Sequence, residues 1–177
     1  MQPERFAFRS AEGQPIFSIR QLSQLASVLG SRGRSTDYLE AWEASFGPVG
    51  DDGYTKPLWD KQTGAIDRDV AEYWRDQGYD LRYYTEENWP TIWRDLVGKL
   101  HFICGDMDNY YFNLPVYYME AFLESTSDPY YAGSFRYGRP SKGHGWTPIT
   151  NAELFQEMAR HIVGNAPATA NTDSWQY

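Results

Sequence analysis

The sequence predicts a helix-rich α/β fold with a small parallel sheet of two or three strands. Apolar residues recur at helical spacing in several stretches of the chain, whereas only two short runs are typical of buried strands. These runs are KLHFIC (residues 99–104) and SFRYG (residues 134–138). A helical stretch separates them, and this order favours parallel pairing.

The region before the first strand is predicted to be mostly helical. Residues 1–16 are expected to form an irregular arm, because Pro3, Gly13 and Pro15 interrupt them. Residues 47–64 are dense in Gly, Pro and Asp, which predicts a long ordered loop. A first helix is predicted at residues 18–29, and a second from a cap at Thr36 or Asp37 to Phe46. A third is predicted from a cap at Asp67 to Trp74. A fourth is predicted from about Glu86 to Leu96, with Pro90 in its first turn.

The region after the first strand alternates helix, strand and helix. PVYYMEAFL (residues 115–123) is predicted to be helical, and the loop GRPSKGHGW follows the second strand. Asn151 is the predicted cap of a last helix, and residues 164–177 are expected to be a flexible tail. We expect one domain over residues 1–177. The apolar stripe of the last helix comprises Leu154, Phe155, Met158, Ile162 and Val163.

Composition excludes several classes of function. The 177 residues include 16 Lys and Arg against 24 Asp and Glu, and without a basic patch a formal net charge of -8 repels nucleic acid. The single cysteine, Cys104, excludes an internal disulfide and a Cys-rich zinc site, and its apolar flank predicts a buried side chain. No apolar run is long enough for a membrane helix or a signal peptide, so the sequence as printed is expected to be soluble and cytoplasmic.

Acidic segments in the long loop resemble calcium-binding loops only in part. DDG and DKQTGAID contain spaced acids and glycines, but they lack the ligand positions of an EF-hand. We therefore predict no metal.

The most informative pattern is a strand, the tetrapeptide GDMD, a helix, a second strand and a loop that contains a histidine. Side chains just past the carboxyl ends of neighbouring parallel strands converge, so Asp108 and His144 are expected to meet. A carboxylate beside an imidazole fixes the tautomer of the ring and stabilises the imidazolium. In other interpretations Asp106 is the acid, either Asp is a helix cap, or His144 is a loop histidine bonded to backbone. The remaining histidines, His101 and His161, are expected to be structural.

Two longer segments carry a resemblance to a known family. LVGKLHFICGDMDNYYFNLPVYYMEAFL, followed by GRPSKGHGW, resembles the last third of an α/β-hydrolase. AWEASFGPVGDDGYTKPLWDKQTGAIDRDVAEYWRDQGYDLRY is similar to the carboxyl-terminal region of a group of bacterial esterases of that superfamily. The resemblance covers roughly Phe6 to His144. It implies a truncated three-layer hydrolase unit that cleaves a carboxylic ester without a cofactor, with Asp108 as the acid and His144 as the base.

The nucleophile of such a site is not evident in the sequence. The serine elbow GxSxG, which precedes the acid and the histidine in this fold, is missing from these residues. The resemblance therefore implies a complementing amino-terminal segment, and the open sheet edges predict a homo-oligomer. If the chain works alone, Ser35 and Ser141 are the nucleophile candidates. Arg32 and Arg34 beside Ser35 could bind a carboxylate or phosphate, although a solvated turn is the ordinary explanation.

Aromatic residues leave a second class of function open. Tyr110, Tyr111 and Trp146 lie near the predicted acid and base, and we predict that they line a substrate pocket. With 17% aromatic residues, the chain could instead be a non-catalytic binding or assembly domain for a protein or carbohydrate ligand.

Overall fold

The computed structural model describes residues 4–30, 35 and 37–175, which form a mixed α/β structure with a small parallel sheet. The chain makes two compact units. One reaches to Asn88 and includes Asn109–Tyr111, and the other comprises Trp89–Asp108 and the chain from Phe112 onward. Compact units do not establish how many parts fold independently, so the single domain stays a prediction. In the described ranges, no helix is long and apolar enough to cross a membrane.

The first unit begins with a hairpin, so the expected irregular arm over residues 1–16 is wrong. Strand β1 (Phe6–Arg9) pairs in antiparallel fashion with β2 (Pro15–Ser18). The turn closes through Ser10, whose amide donates to the Gln14 carbonyl at 2.8 Å, and Gly13 adopts the left-handed φ of 88° that the turn requires. Pro15 is tolerated because it is the first residue of its strand.

Three helices follow in the first unit, and side-chain caps set the starts of the first and the third. Helix α1 (Ile19–Leu29) has a capping box in which Ser18 accepts the Gln21 amide and Gln21 accepts the Ser18 amide. Helix α2 spans Asp37–Phe46, and Thr36 lies outside the described residues. Helix α3 (Arg68–Asp76) is capped by Asp67, as predicted, and ends two residues beyond the predicted Trp74.

The long loop between α2 and α3 is ordered by a buried polar network. The Trp59 indole N–H donates to Ser23 Oγ at 2.8 Å, and Lys61 Nζ lies 3.8 Å from the centroid of the Trp59 ring. Lys61 also pairs with Glu43 at 2.7 Å, and the second Glu43 oxygen accepts the Leu58 amide. These bonds satisfy the buried polar groups and fix the loop.

Helix α4 (Leu81–Leu96) begins five residues earlier than predicted. Asp80 caps it by accepting the Tyr83 amide at 3.0 Å. Pro90 therefore lies in the middle of the helix, and its predicted position in the first turn is wrong. Because Pro has no N–H, one intrahelical hydrogen bond is missing there.

The second unit is built on the parallel sheet. Strand β3 (His101–Gly105) pairs residue for residue with β4 (Ser134–Gly138), and α5 (Asn113–Leu123) connects them. The β4 range is the predicted one, and α5 begins two residues before the predicted start. The core contains Trp89, Leu123 and Tyr131.

The last helix, α6 (Asn151–Gly164), is capped by Thr150 and not by Asn151 as predicted. Thr150 Oγ1 accepts the Glu153 amide, and Glu153 accepts the Thr150 amide in return. The predicted apolar stripe is largely exposed, with Phe155 at 67% and Met158 at 49%. A 3-10 turn covers Asp173–Trp175, and flexibility of the tail stays a prediction.

Candidate active site

Backbone hydrogen bonds hold together the two loops that follow the parallel strands. The Asp106 amide donates to the Gly138 carbonyl at 3.1 Å, and the Met107 amide donates to the Lys142 carbonyl at 2.9 Å. In return the Lys142 amide donates to Asp106 Oδ1 at 3.0 Å. Since both loops leave the same edge of the sheet, these bonds set the positions from which Asp108 and His144 project.

Glycine at the ends of both strands allows this close approach. A Cβ on Gly105 would overlap the carbonyl oxygens of Lys142 and Gly143. A Cβ on Gly138 would press on the Trp146 ring, which packs against the bare backbone there. The two loops could not lie at this separation with a larger residue at position 105, whereas Gly138 allows the second loop to fold back on the end of its own strand.

Asp108 is a buried carboxylate with both oxygens engaged. The residue is 3% exposed. Its Oδ1 accepts the Phe112 amide at 3.2 Å, and its Oδ2 lies 2.8 Å from His144 Nδ1. The backbone of Asp108 is also bonded: its amide donates to the Gly105 carbonyl at 3.3 Å, which tightens the turn after β3. The carboxylate is thus held in one orientation before any ligand binds.

His144 differs from its partner in exposure. Its side chain is 50% exposed, against 4% for that of Asp108. The edge of the ring faces Phe112, with centroids 5.7 Å apart and planes at 70°. Because a carboxylate can only accept, the bond assigns a hydrogen to Nδ1, and Nε2 is then the nitrogen that can take up a proton.

The structure distinguishes the roles of the two aspartates. Asp106 accepts a backbone amide of the opposite loop, whereas Asp108 binds the imidazole. Neither aspartate occupies the N-cap position of α5, which is Phe112, although Asp108 Oδ1 accepts the Phe112 amide. Asp108 is therefore the carboxylate that can orient His144, and its catalytic role stays a prediction.

The other two histidines lie outside this pair. His101 Nδ1 is 2.8 Å from Ser134 Oγ, and its Nε2 is 3.2 Å from the Gly98 carbonyl oxygen. The His101 ring stacks on that of His161, with 4.0 Å between centroids. These contacts join β3 to β4 and α6, which fits the structural role expected for both residues.

The two serine candidates occupy different units. Ser141 is exposed, lies in the same loop as His144 and has a positive φ of 54°. A non-glycine residue in this conformation is uncommon, and such residues cluster at functional sites. Ser35 belongs to the first unit and is half-buried, while the neighbouring Arg32 and Arg34 lie outside the described residues.

The predicted pocket residues are also divided between the units. Tyr110 and Tyr111 belong to the first unit, where Tyr110 packs on Phe8 at 5.2 Å and the Arg9 guanidinium lies 4.6 Å from the Tyr111 ring centroid. Trp146 belongs to the second unit and is half-buried. A substrate pocket lined by these three residues stays a prediction.

Sequence reasoning singled out the motifs GDMD and NYYF, which contain Gly105 and Phe112, and proposed that NYYF walls a substrate pocket. It missed the contacts of Gly105 and Phe112, because these depend on the opposite loop. Cys104 is buried, as predicted, and burial raises the pKa of its thiol, with a further rise from the charge of Asp108. The thiol is therefore protonated near neutral pH and is a poor nucleophile.

Neither a search for metal ligands nor comparison with known proteins identifies the function of the chain. Among the described residues, no three His, Cys, Asp or Glu side chains are grouped so that they could hold a metal ion. Comparisons with protein families, with curated proteins and with solved structures found no match for the chain. The esterase interpretation therefore rests on the Asp108–His144 geometry and on the sequence resemblance.

Proposed function

We propose that this chain supplies the acid and the base of a serine-type carboxylic ester hydrolase. The observation that carries the proposal is the 2.8 Å contact between His144 Nδ1 and Asp108 Oδ2, which joins a half-exposed imidazole to a buried carboxylate. This difference in exposure suits the two roles, because the base must reach substrate while the orienting group is best fixed and shielded.

In the proposed reaction His144 accepts a proton and gives it up again in each of two half-reactions. Nε2 takes the proton of a serine hydroxyl as the serine oxygen attacks the ester carbonyl, and Asp108 stabilises the resulting imidazolium. The imidazolium then protonates the departing alkoxide, which leaves an acyl-serine and an alcohol. His144 Nε2 then takes a proton from water as the water oxygen attacks the acyl-serine. The imidazolium gives that proton to the departing serine oxygen, which releases the carboxylic acid and restores the serine hydroxyl and the neutral imidazole.

A serine nucleophile and oxyanion-hole donors are proposed from the family resemblance alone. Without GxSxG in these residues, we propose that a complementing segment or a second chain presents the serine to His144. Ser141 is the candidate within the chain that the backbone conformation favours. Phe112, whose ring edge meets the imidazole, would form an apolar wall for the substrate.

Hydrolysis of p-nitrophenyl acetate by the purified chain tests the proposal. Because the leaving group is good, a positioned base can activate water or an added alcohol, so the assay does not require the serine to be identified. We expect His144→Ala to lower the rate by about 100-fold or more. His101→Gln, which changes another histidine of the same unit, should leave the rate unaltered. Equal rates for wild type and His144→Ala would disprove the proposal.

The second candidate is a binding domain without catalysis. Exposed aromatic rings favour it, such as Tyr118 on α5, which is 67% exposed, because such rings stack on sugar faces or partner proteins. Saturable binding of an oligosaccharide that Tyr118→Ala abolishes, together with no hydrolysis, would support this function over the first.

A further inference from the structure

The second unit has a separate cavity. It is lined by the end of α6, by the chain that follows α6, and by Lys99, two residues before β3. Its volume is about 460 Å³. Its lining includes Lys99, Ile162 and Ala170, and none of the lining residues belongs to the loops that carry Asp108 and His144. A volume in this range is typical of sites for small molecules.

Part of the cavity lining is apolar. Ile162 on α6 and the segment that follows it, with Ala166, Pro167 and Ala170, provide an aliphatic wall without aromatic rings. The Ala170 amide donates to the Pro167 carbonyl at 2.8 Å, so the segment is folded back as a turn. An alkyl chain of a ligand would be removed from water along this wall.

Other lining residues carry groups that can bind an anion. Lys99 is exposed, and no carboxylate among the described residues lies within ion-pair distance of its ammonium group. Asn171 Oδ1 accepts the Asp173 amide at 3.0 Å, so its amide nitrogen is the group that remains to donate. Two acids adjoin the lining: Glu157, whose Oε1 is 4.0 Å from His161 Nε2, and Asp173, which follows Thr172 in the chain. Lys99 is therefore a cation with unused pairing capacity in a chain of net charge -8.

We propose that this cavity binds a short unbranched carboxylic acid such as octanoate. The carboxylate pairs with Lys99 and the Asn171 amide, and the alkyl chain lies against Ile162, Pro167 and Ala170. His161 is the one aromatic side chain in the lining, and its ring is already paired with that of His101. The apolar part of the lining is aliphatic, which suits an alkyl chain better than a sugar or a base, since these are recognised by stacking. The assignment does not depend on the esterase proposal, because binding requires no reaction.

Titration of the ¹⁵N-labelled chain with octanoate below its micelle-forming concentration tests this site. We expect saturable amide shifts confined to Lys99 and the segment from His161 to Thr172. Each methylene contributes about four-fold in affinity, so hexanoate should bind about 16-fold more weakly than octanoate. Octanamide, which lacks the charge, should bind about five-fold more weakly.

Two variants separate the charge from the cavity. Lys99→Met should lower octanoate affinity to that of octanamide, whereas Lys56→Met, an exposed lysine of the first unit, should not change it. Ala170→Leu should fill the apolar end and abolish binding, with the His144 resonances unchanged. Equal affinities for octanoate and octanamide would disprove recognition of the carboxylate. Shifts elsewhere, no saturable shifts, or wild-type binding by Ala170→Leu would disprove the site. None of these outcomes depends on ester hydrolysis.

Discussion

At the scale of single residues, the candidate site depends on unequal environments for two neighbouring groups. Asp108 has each carboxylate oxygen engaged and is shielded from solvent, whereas His144 projects half of its surface outward. A carboxylate fixed by a backbone amide cannot rotate to follow a mobile ring. The imidazole is therefore the member of the pair whose orientation is selected.

Asp108→Asn should change the tautomer of His144. The amide that replaces the carboxylate can donate as well as accept, so the preference for a hydrogen on Nδ1 is lost. Long-range ¹H–¹⁵N spectra of the neutral ring should show the Nδ1–H form in wild type and a mixture of tautomers in the variant. Asp106→Asn keeps an oxygen for the Lys142 amide and should give the wild-type spectrum. An unchanged tautomer in Asp108→Asn would contradict the orienting role.

Gly105→Ala should destabilise the second unit and disrupt the site. The added methyl group overlaps two carbonyl oxygens of the opposite loop, at Lys142 and Gly143. Overpacking of this kind costs about 1–3 kcal/mol. Urea unfolding measures the loss, and Gly164→Ala is the matched control because open space surrounds that position. A Gly105→Ala protein as stable as wild type would show that the loops do not lie this close.

At the scale of elements, local signals explain what the sequence could predict. Asp67 is a capping residue before a helical pattern, and the residues of β4 form a short apolar run bounded by glycine, so both were predictable. The β1–β2 hairpin was missed because four-residue strands are too short to establish a period, and Pro15 argued against a strand. The early start of α4 depends on the Asp80 cap, and it was missed because the segment RYYTEEN that follows Leu81 contains no aliphatic residue.

In the candidate site, too, local sequence signals were predictable and contacts between distant segments were not. Asp108 and His144 could be singled out because each follows a predicted strand, and parallel strands bring such positions together. Two other contacts, of Tyr110 with Phe8 and of Arg9 with Tyr111, could not be predicted, because they require the hairpin that was missed. The need for glycine at Gly105 is a tertiary constraint, because it arises from a loop 37 or more residues away in the chain.

The carboxyl end of α5 should make the second unit sensitive to acid. Glu124 accepts the hydroxyls of Tyr131 and Tyr130, each at 2.7 Å, and these bonds lower the pKa of its carboxyl in the folded state. A lowered folded pKa means that the stabilisation is present above the unfolded pKa and is lost as the pH falls through the folded pKa.

Glu124→Gln should therefore lower the unfolding free energy near pH 7, and the difference from wild type should shrink as the carboxyl of the folded protein becomes protonated in acid. Chemical denaturation over this pH range is the measurement. Glu87→Gln, which changes an exposed acid of α4, should follow wild type throughout. A Glu124→Gln difference that stays constant from pH 7 to about pH 3 would contradict a role for the ionised carboxylate.

At the scale of the whole molecule, apolar surface remains exposed on a strongly acidic chain. On α6, Phe155, Met158 and Ile162 are 67%, 49% and 45% exposed. Among the described residues the parallel sheet has two strands, so each strand has one edge that pairs with no other strand. Exposed apolar stripes and open strand edges are typical of surfaces that a partner covers.

We expect the chain to self-associate through the apolar face of α6. Sedimentation velocity over a range of protein concentrations should show a dimer that forms reversibly. Phe155→Lys should shift the protein to monomer because it places a charge in the apolar contact, while Gln156→Lys on the same helix should not. A wild-type protein that stays monomeric at all concentrations would contradict this expectation.

A double-mutant cycle on ester hydrolysis tests the functional pairing of Asp108 and His144 most directly. The p-nitrophenyl acetate rates of wild type, Asp108→Asn, His144→Ala and the double variant are compared. If Asp108 acts through His144, the double variant should be no slower than His144→Ala alone, because the carboxylate has nothing left to orient. Losses that multiply in the double variant would mean that the two residues act independently. That result would contradict the account.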